Sequence, residues 1–201
     1  MTVIFDLDYV LLDVKKFTPS LSEVFGLGEE EYRQSYNQHF PPPKKQYNAF
    51  LHISGLLAEG KISPARAGEI ERGVRDILGG IDRFIFPRAE ELLQYLKERN
   101  VRLVLFTYGD LVWQKAKMDN LSLGKYFDDI IFTDSDKEIP SRVLRDSPGE
   151  TFIVNDNARE LILMSGQVPG ARTILIKGPY SRNCEHKMAE RTIEDCFKLI
   201  S

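Results

Sequence analysis

Cysteine, histidine and surplus basic charge are all scarce in this chain. Of 201 residues only two are cysteines, Cys184 and Cys196, and they form no CxxC pair. A disulfide framework is therefore not expected, and a reducing, cytoplasmic compartment is. The three histidines, His39, His52 and His186, have no metal-ligand spacing and read as surface or structural residues. Lys and Arg number 27 against 30 Asp and Glu, for a net charge of −3. That balance lacks the basic footprint of a nucleic-acid binder. No apolar run approaches the roughly 18 residues that a membrane span requires. Met1 leads into TVIFDLD without a basic and then apolar leader, so no signal peptide is expected. Internal repeats and low-complexity tracts are lacking too. What is there is an ordinary globular composition, 42% hydrophobic and 28% charged. It is long enough to bury a core as one domain, or as one domain with an insertion.

Short β-branched runs alternate with helical stretches, the pattern of a parallel α/β sheet. Strands are expected at Thr2–Asp6, Val101–Thr107, Asp129–Thr133, Thr151–Asp156 and Arg172–Lys177. VRLVLF and TFIV are near-continuous apolar runs, as in strands buried on both faces. Helices are expected at Pro87–Arg99, at Asp110–Asn120, from Asn157 onward, around Pro140–Arg145 and over Lys187–Ile200. One stretch breaks the alternation, for no convincing strand occurs between the first strand and Pro87. Within it Ser20-x-x-Glu23 has the form of a capping box, and Ser63-Pro64 reads as an N-cap with proline at the first helical position. Ile70, Val74, Ile77 and Leu78 share one helical face, while Pro41–Pro43 reads as a stiff connector. The expected fold is a Rossmann-like, doubly wound parallel sheet built by residues 1–13 and 85–201. Residues 14–84 are expected to form a small α-helical insertion.

In an open parallel sheet, ligands bind outside the carboxyl ends of the strands. The first expected strand ends in Asp6-Leu7-Asp8 and the second in Thr107-Tyr108-Gly109. The fourth ends in Asn155-Asp156-Asn157, with Glu160 one helical turn on, and Lys137 lies between the third and fourth. Carboxylates, a hydroxyl and a lysine would converge on one spot. This grouping suits phosphoryl transfer, in which charge must be gathered around an in-line displacement. Carboxylate and carbonyl oxygens suit Mg2+. One carboxylate can attack, and a second can protonate the leaving alkoxide and then deprotonate water. A hydroxyl and a lysine can hold the other phosphate oxygens.

FDLDYVLL also satisfies the pattern DxDx[T/V][L/V] after an apolar strand, and here the chain resembles the haloacid dehalogenase (HAD-like) superfamily, phosphatase type with an α-helical cap. LVLFT supplies the second motif, Lys137 the third and TFIVND the fourth, in the family's order and across nearly the whole chain. The resemblance implies that Asp6 is the nucleophile and Asp8 the general acid/base, its backbone carbonyl on a Mg2+ ion. It implies Thr107, Tyr108, Gly109 and Lys137 around the phosphate, and Asp156 and Glu160 on the metal. The chain departs from the pattern in four places. Tyr9 stands where small residues, often glycine, are common, and Tyr108 where many members have asparagine. Glu160 replaces the more usual Asp, and DKEIPSRVL lacks the familiar Lys-Pro pair.

The implied activity is Mg2+-dependent hydrolysis of a small phosphate ester through an aspartyl phosphate. Haloacid dehalogenases lack the second acidic residue, so Asp8 argues against them. Phosphonate cleavage would call for a Schiff-base lysine, and nothing marks out Lys44, Lys45 or Lys61. A phosphomutase, in which a sugar hydroxyl instead of water discharges the intermediate, is one alternative; a catalytically silent HAD-like binding module is the other. The insertion begins near Asp13, and Lys15 and Lys16 read as solvated. It falls between the first and second motifs, where capped members carry theirs. Such caps close over small soluble substrates and disfavour macromolecules.

Overall fold

The computed structural model describes residues 1–41, 46–135, 149–182 and 188–200. Six strands make one parallel sheet: β1 (Thr2–Phe5), β2 (Arg102–Tyr108), β3 (Asp129–Thr133), β4 (Thr151–Asn155), β5 (Arg172–Ile176) and β6 (Glu190–Arg191). Their order is β3-β2-β1-β4-β5-β6. The chain thus winds outward from β1 to β3, returns to the other side of β1, and winds outward again to β6. Four helices, α1 (Val14–Phe25), α2 (Glu29–His39), α3 (Ala49–Ala58) and α4 (Pro64–Gly79), are inserted between β1 and β2. The later helices are α5 (Ala89–Lys97), α6 (Leu111–Asn120), α7 (Ala158–Gln167) and α8 (Ile193–Leu199).

Alternation along the strands puts helices on both faces of the sheet. Val3, Phe5, Leu103, Leu105, Phe152 and Val154 point one way, into a core shared with Leu92, Leu93 and Leu96 of α5 and Ile193 and Cys196 of α8. Ile4, Val104, Phe106, Ile153 and Leu175 point the other way, against Ala158, Leu161 and Met164 of α7. Successive strand side chains must face opposite sides, so a strand apolar at every position needs two helical layers. Cys196 is a free, buried thiol, pushed up to about 12 by that burial.

Two expectations need correction. Ser20 does not open a helix: α1 runs through it, and its hydroxyl reaches back to Lys16 O at 3.5 Å. Phe17, Leu21 and Phe25 recur every four residues on the buried face of α1. Packing along that stripe carries the helix through Pro19, whose missing N–H deprives it of one internal bond. Lys187–Ile200 is not one helix either, since Glu190 and Arg191 pair with Leu175 and Ile176 as β6. Thr192 then caps α8, its hydroxyl and the Asp195 carboxylate exchanging bonds with each other's backbone amides. Ser63 caps α4 as expected, accepting from Arg66 N at 3.2 Å with Pro64 in the first turn. The expected helix around Pro140–Arg145 and Pro42–Pro43 of the proline run lie outside the described residues.

The insertion has an aromatic core of its own, built around His52, which is fully buried. Phe25 lies 4.9 Å from its ring and Tyr32 5.7 Å. Ser35 Oγ lies 2.7 Å from His52 Nε2, and the Tyr47 hydroxyl 3.5 Å from Nδ1. Burial, followed by the neighbouring His39, lowers the His52 pKa to about 4. The unfolded chain takes up this proton near the ordinary value of 6.5, whereas the folded chain resists until about 4. His52 therefore contributes stability above 6.5 that is lost as the pH falls towards 4. The thermal midpoint of the protein should drop across that window, and His52→Phe should flatten the drop; scanning calorimetry at stepped pH checks it.

Candidate active site

The carboxyl ends of β1, β2 and β4 form the floor of a cleft of about 1310 Å3, walled on the far side by α1 and α2. Asp6, Asp8, Tyr108, Gly109, Asp156 and Glu160 all line it. Asp6 and Asp156 follow directly on the paired strands β1 and β4, and they are 9% and 2% exposed. Thr107 Oγ1, at the end of β2, is fully buried and has no hydrogen-bond partner among the described residues. Lys137 lies outside the described residues.

After β1 the chain turns sharply. Leu11 and Leu12 both donate to Leu7 O at 2.9 Å, and Tyr9 N donates to Leu12 O at 2.9 Å. Tyr9 adopts φ +60 to make the turn, a conformation that favours glycine. Its ring meets Tyr180 edge-on at 5.9 Å. Burial, with the Tyr180 ring and the Asp8 and Asp156 charges behind it, holds the Tyr9 hydroxyl well above its ordinary pKa. Burial, with the Asp156, Asp8 and Glu160 charges behind it, raises Tyr180 as well, and Tyr36 of α2 is pushed up to about 12, mainly by burial. All three stay protonated and can donate into the cleft.

Each of the other acidic side chains has built-in support. Glu160 accepts from the amides of Asn155 and Asn157, both at 3.0 Å, one on each oxygen. Asp156 packs on Gly178, where a Cβ would lie 2.5 Å from Asp156 Oδ2, so the side chain fits only because position 178 is bare. Asp8 accepts from Lys117 Nζ at 2.6 Å on each oxygen and from Gln114 Nε2 at 3.1 Å. Gly109, at φ +149, leaves room for Gln114, whose Nε2 would sit 2.6 Å from a Cβ there. The Gly109 amide itself donates to Thr133 O at 2.9 Å. The Tyr108 hydroxyl accepts from Gln46 Nε2 of the insertion at 3.4 Å.

The oxygen-only chemistry of Asp6 and Asp156 fits a hard divalent cation. Among the described residues no three His, Cys, Asp or Glu side chains are grouped to hold a metal unaided. A pair of carboxylates is nonetheless what Mg2+ commonly takes from a protein, keeping water and substrate oxygens for its other positions.

Sequence reasoning missed Gln114, Lys117, Tyr180 and Gly178, and it placed Asn155 at the strand end without giving it a role. Gln114 and Lys117 stand three apart in a helix that follows a strand ending in a site residue, and that placement is the one signal the sequence offered. By composition they are ordinary polar residues of a helix face.

No curated protein matches the chain. The family model for haloacid dehalogenase-like hydrolases matches residues 1–159. Among solved structures, a candidate haloacid dehalogenase-like hydrolase from Burkholderia xenovorans LB400 superposes with a TM-score of 0.71 at 19% identity, over 96% of this chain and 91% of that one. A candidate β-phosphoglucomutase from Thermotoga maritima gives 0.66 at 17%, over 100% and 98%. The candidate HAD-hydrolase YfnB from Bacillus subtilis, bound to magnesium, gives 0.63 at 20%, over 99% and 97%. At these identities the superpositions speak for the fold, and the family model, spanning more than half of the sequence, shows that the chain belongs to the haloacid dehalogenase-like hydrolases.

Proposed function

We propose that this hydrolase cleaves small phosphate monoesters with Asp6 as the nucleophile. The observation that carries the reading is the meeting of Asp6, Asp8 and Asp156 in one cleft, next to the buried, unsatisfied Thr107 hydroxyl. Gathering carboxylates at a buried edge is costly unless a cation and a ligand take up their charge. A dianionic phosphate held through a metal does so, and its oxygens give Thr107 an acceptor.

The Asp6 carboxylate attacks phosphorus as the ester oxygen departs, and Asp8 gives its proton to that oxygen. Water then attacks the phosphorus of the Asp6 acyl phosphate while Asp8 takes the water's proton. Inorganic phosphate leaves and Asp6 is restored. Mg2+ would be held by the Asp6 and Asp156 carboxylates and the Asp8 backbone carbonyl, and bound there it would offset the repulsion between nucleophile and phosphate. Magnesium in the YfnB structure supports this choice of ion. Glu160, engaged by two asparagine amides, steadies the loop behind Asp156.

Residues 14–84 act as a cap over a core of residues 1–13 and 85–201. Support comes from the tethers and the facing contacts. Asp13 N donates to Phe84 O at 2.7 Å and Phe86 N to Leu11 O at 2.9 Å, so the two connecting segments pair with each other. Asn48 of the insertion donates to Asp110 of the core at 2.7 Å. With the cleft covered by α1 and α2, a small soluble ester is the substrate and a nucleic acid is not. No helix among the described residues is long and apolar enough to cross a membrane.

Two outcomes are expected. Asp6→Asn keeps the shape but removes the attacking charge, so turnover of p-nitrophenyl phosphate should fall by about 1,000-fold or more. Wild-type turnover in that variant would remove Asp6 from the mechanism. Hydrolysis should also stop in EDTA and return with added Mg2+, and Asp156→Ala should raise the Mg2+ concentration needed for half-maximal rate. Full activity in EDTA would sink the metal assignment.

A further inference from the structure

Lys117 and Gln114 stand apart from every motif yet reach the reacting centre. Both belong to α6, three residues apart and so on one helix face, and both are only 3% exposed. A lysine that deeply buried is rare unless its charge is paired. Its partner is Asp8, whose two carboxylate oxygens each lie 2.6 Å from the ammonium. Gln114 adds a third bond, from Nε2 to Oδ2 at 3.1 Å, while the same amide donates to Tyr108 O at 2.7 Å. Both of these partners are acceptors, so the NH2 end of Gln114 must face them.

The path that fixes this helix can be followed outward from the strand end. Gly109 clears space for Gln114. Asp110 caps α6 through Trp113 N at 2.8 Å and is itself held by Asn48. The donors aimed at Asp8 are thus set by β2, by the cap of α6 and by a contact from the insertion.

We propose that Lys117 and Gln114 are positioning residues for the proton transfer performed by Asp8; this rests on the acid/base role given to Asp8 above. A carboxylate offers about four lone-pair sites. Lys117 occupies one on each oxygen and Gln114 a second on Oδ2. One site remains on Oδ1, and Oδ1 is the atom that exchanges the proton with the ester oxygen and then with water. The three bonds fix the orientation of the carboxylate, and Asp8 lines the cleft with 25% of its side chain exposed.

The test separates positioning from general structural damage by its dependence on the leaving group. Ring-substituted phenyl phosphates, from p-nitrophenyl to p-methoxyphenyl, keep one shape while the departing oxygen needs progressively more help from an acid. The readout is kcat/KM, which covers steps only through departure of the phenol, so slow water attack cannot mask the effect. Asp8→Asn serves as the reference, and circular dichroism confirms that each variant is folded. Lys117→Met should lose about 100-fold on the p-methoxyphenyl ester, with less than about 10-fold lost on the p-nitrophenyl ester. Gln114→Leu, which leaves the buried charge pair intact, should tilt the series in the same direction by a smaller factor and serves if Lys117→Met does not fold. Equal losses along the series, or none, in the folded variants would overturn the inference. If Asp8→Asn itself shows no tilt, it is the acid/base reading of Asp8 that fails.

Discussion

β1 is hydrogen-bonded along both edges, to β2 through Thr2–Phe5 against Arg102–Leu105 and to β4 through the same residues against Thr151–Val154. Every other feature of the site depends on that double pairing. A strand enclosed on both edges, with apolar side chains on both faces, cannot slip by one residue without exchanging its two cores. Asp6 is the first residue past β1 and Asp156 the first past β4; the register sets Asp6 opposite Asn155, one residue short of Asp156, and both carboxylates line one cleft at the point where the winding of the sheet reverses. The sharp turn after Asp6 then returns Asp8 to the same place, and the positive φ of Tyr9 is the local cost of that turn.

Putting acidic groups together creates a problem of charge, and the surrounding residues are arranged to relieve it. Asp8 has the Lys117 ammonium and Glu160 two asparagine amides, while Gly178 leaves the space that the Asp156 side chain occupies. The tyrosines around them are held in the protonated form, by burial and by the carboxylates themselves. The donors of the site are thus largely directed at its own carboxylates.

The insertion is joined to this floor through aromatic packing as well as polar contacts. Trp113, in the first turns of α6, lies 6.2 Å from Phe17, 5.8 Å from Tyr47 and 5.9 Å from Phe50. Asp110, three residues earlier, receives the Asn48 bond. One helix thus carries both the contact surface for the insertion and the side chains that hold Asp8.

Much of this was legible in the sequence. Five strands were placed to within a residue or two, because strands buried on both faces read as unbroken apolar runs. Asp6, Asp8, Thr107 and Asp156 could be named because each stands at the end of such a run. The insertion was visible as a long interval without strands. The two-residue β6 was not, since it has no apolar pattern and exists only because β5 offers it an edge. Ser20 was misread because a local capping pattern competes with the Phe17–Leu21–Phe25 stripe, and packing is the stronger of the two. Lys117, Gln114 and Gly178 lie 109, 106 and 22 residues from the acids they serve. Spacing within an element reports what that element buries. Which side chain meets which across such intervals is decided only when the strands take their order in the sheet.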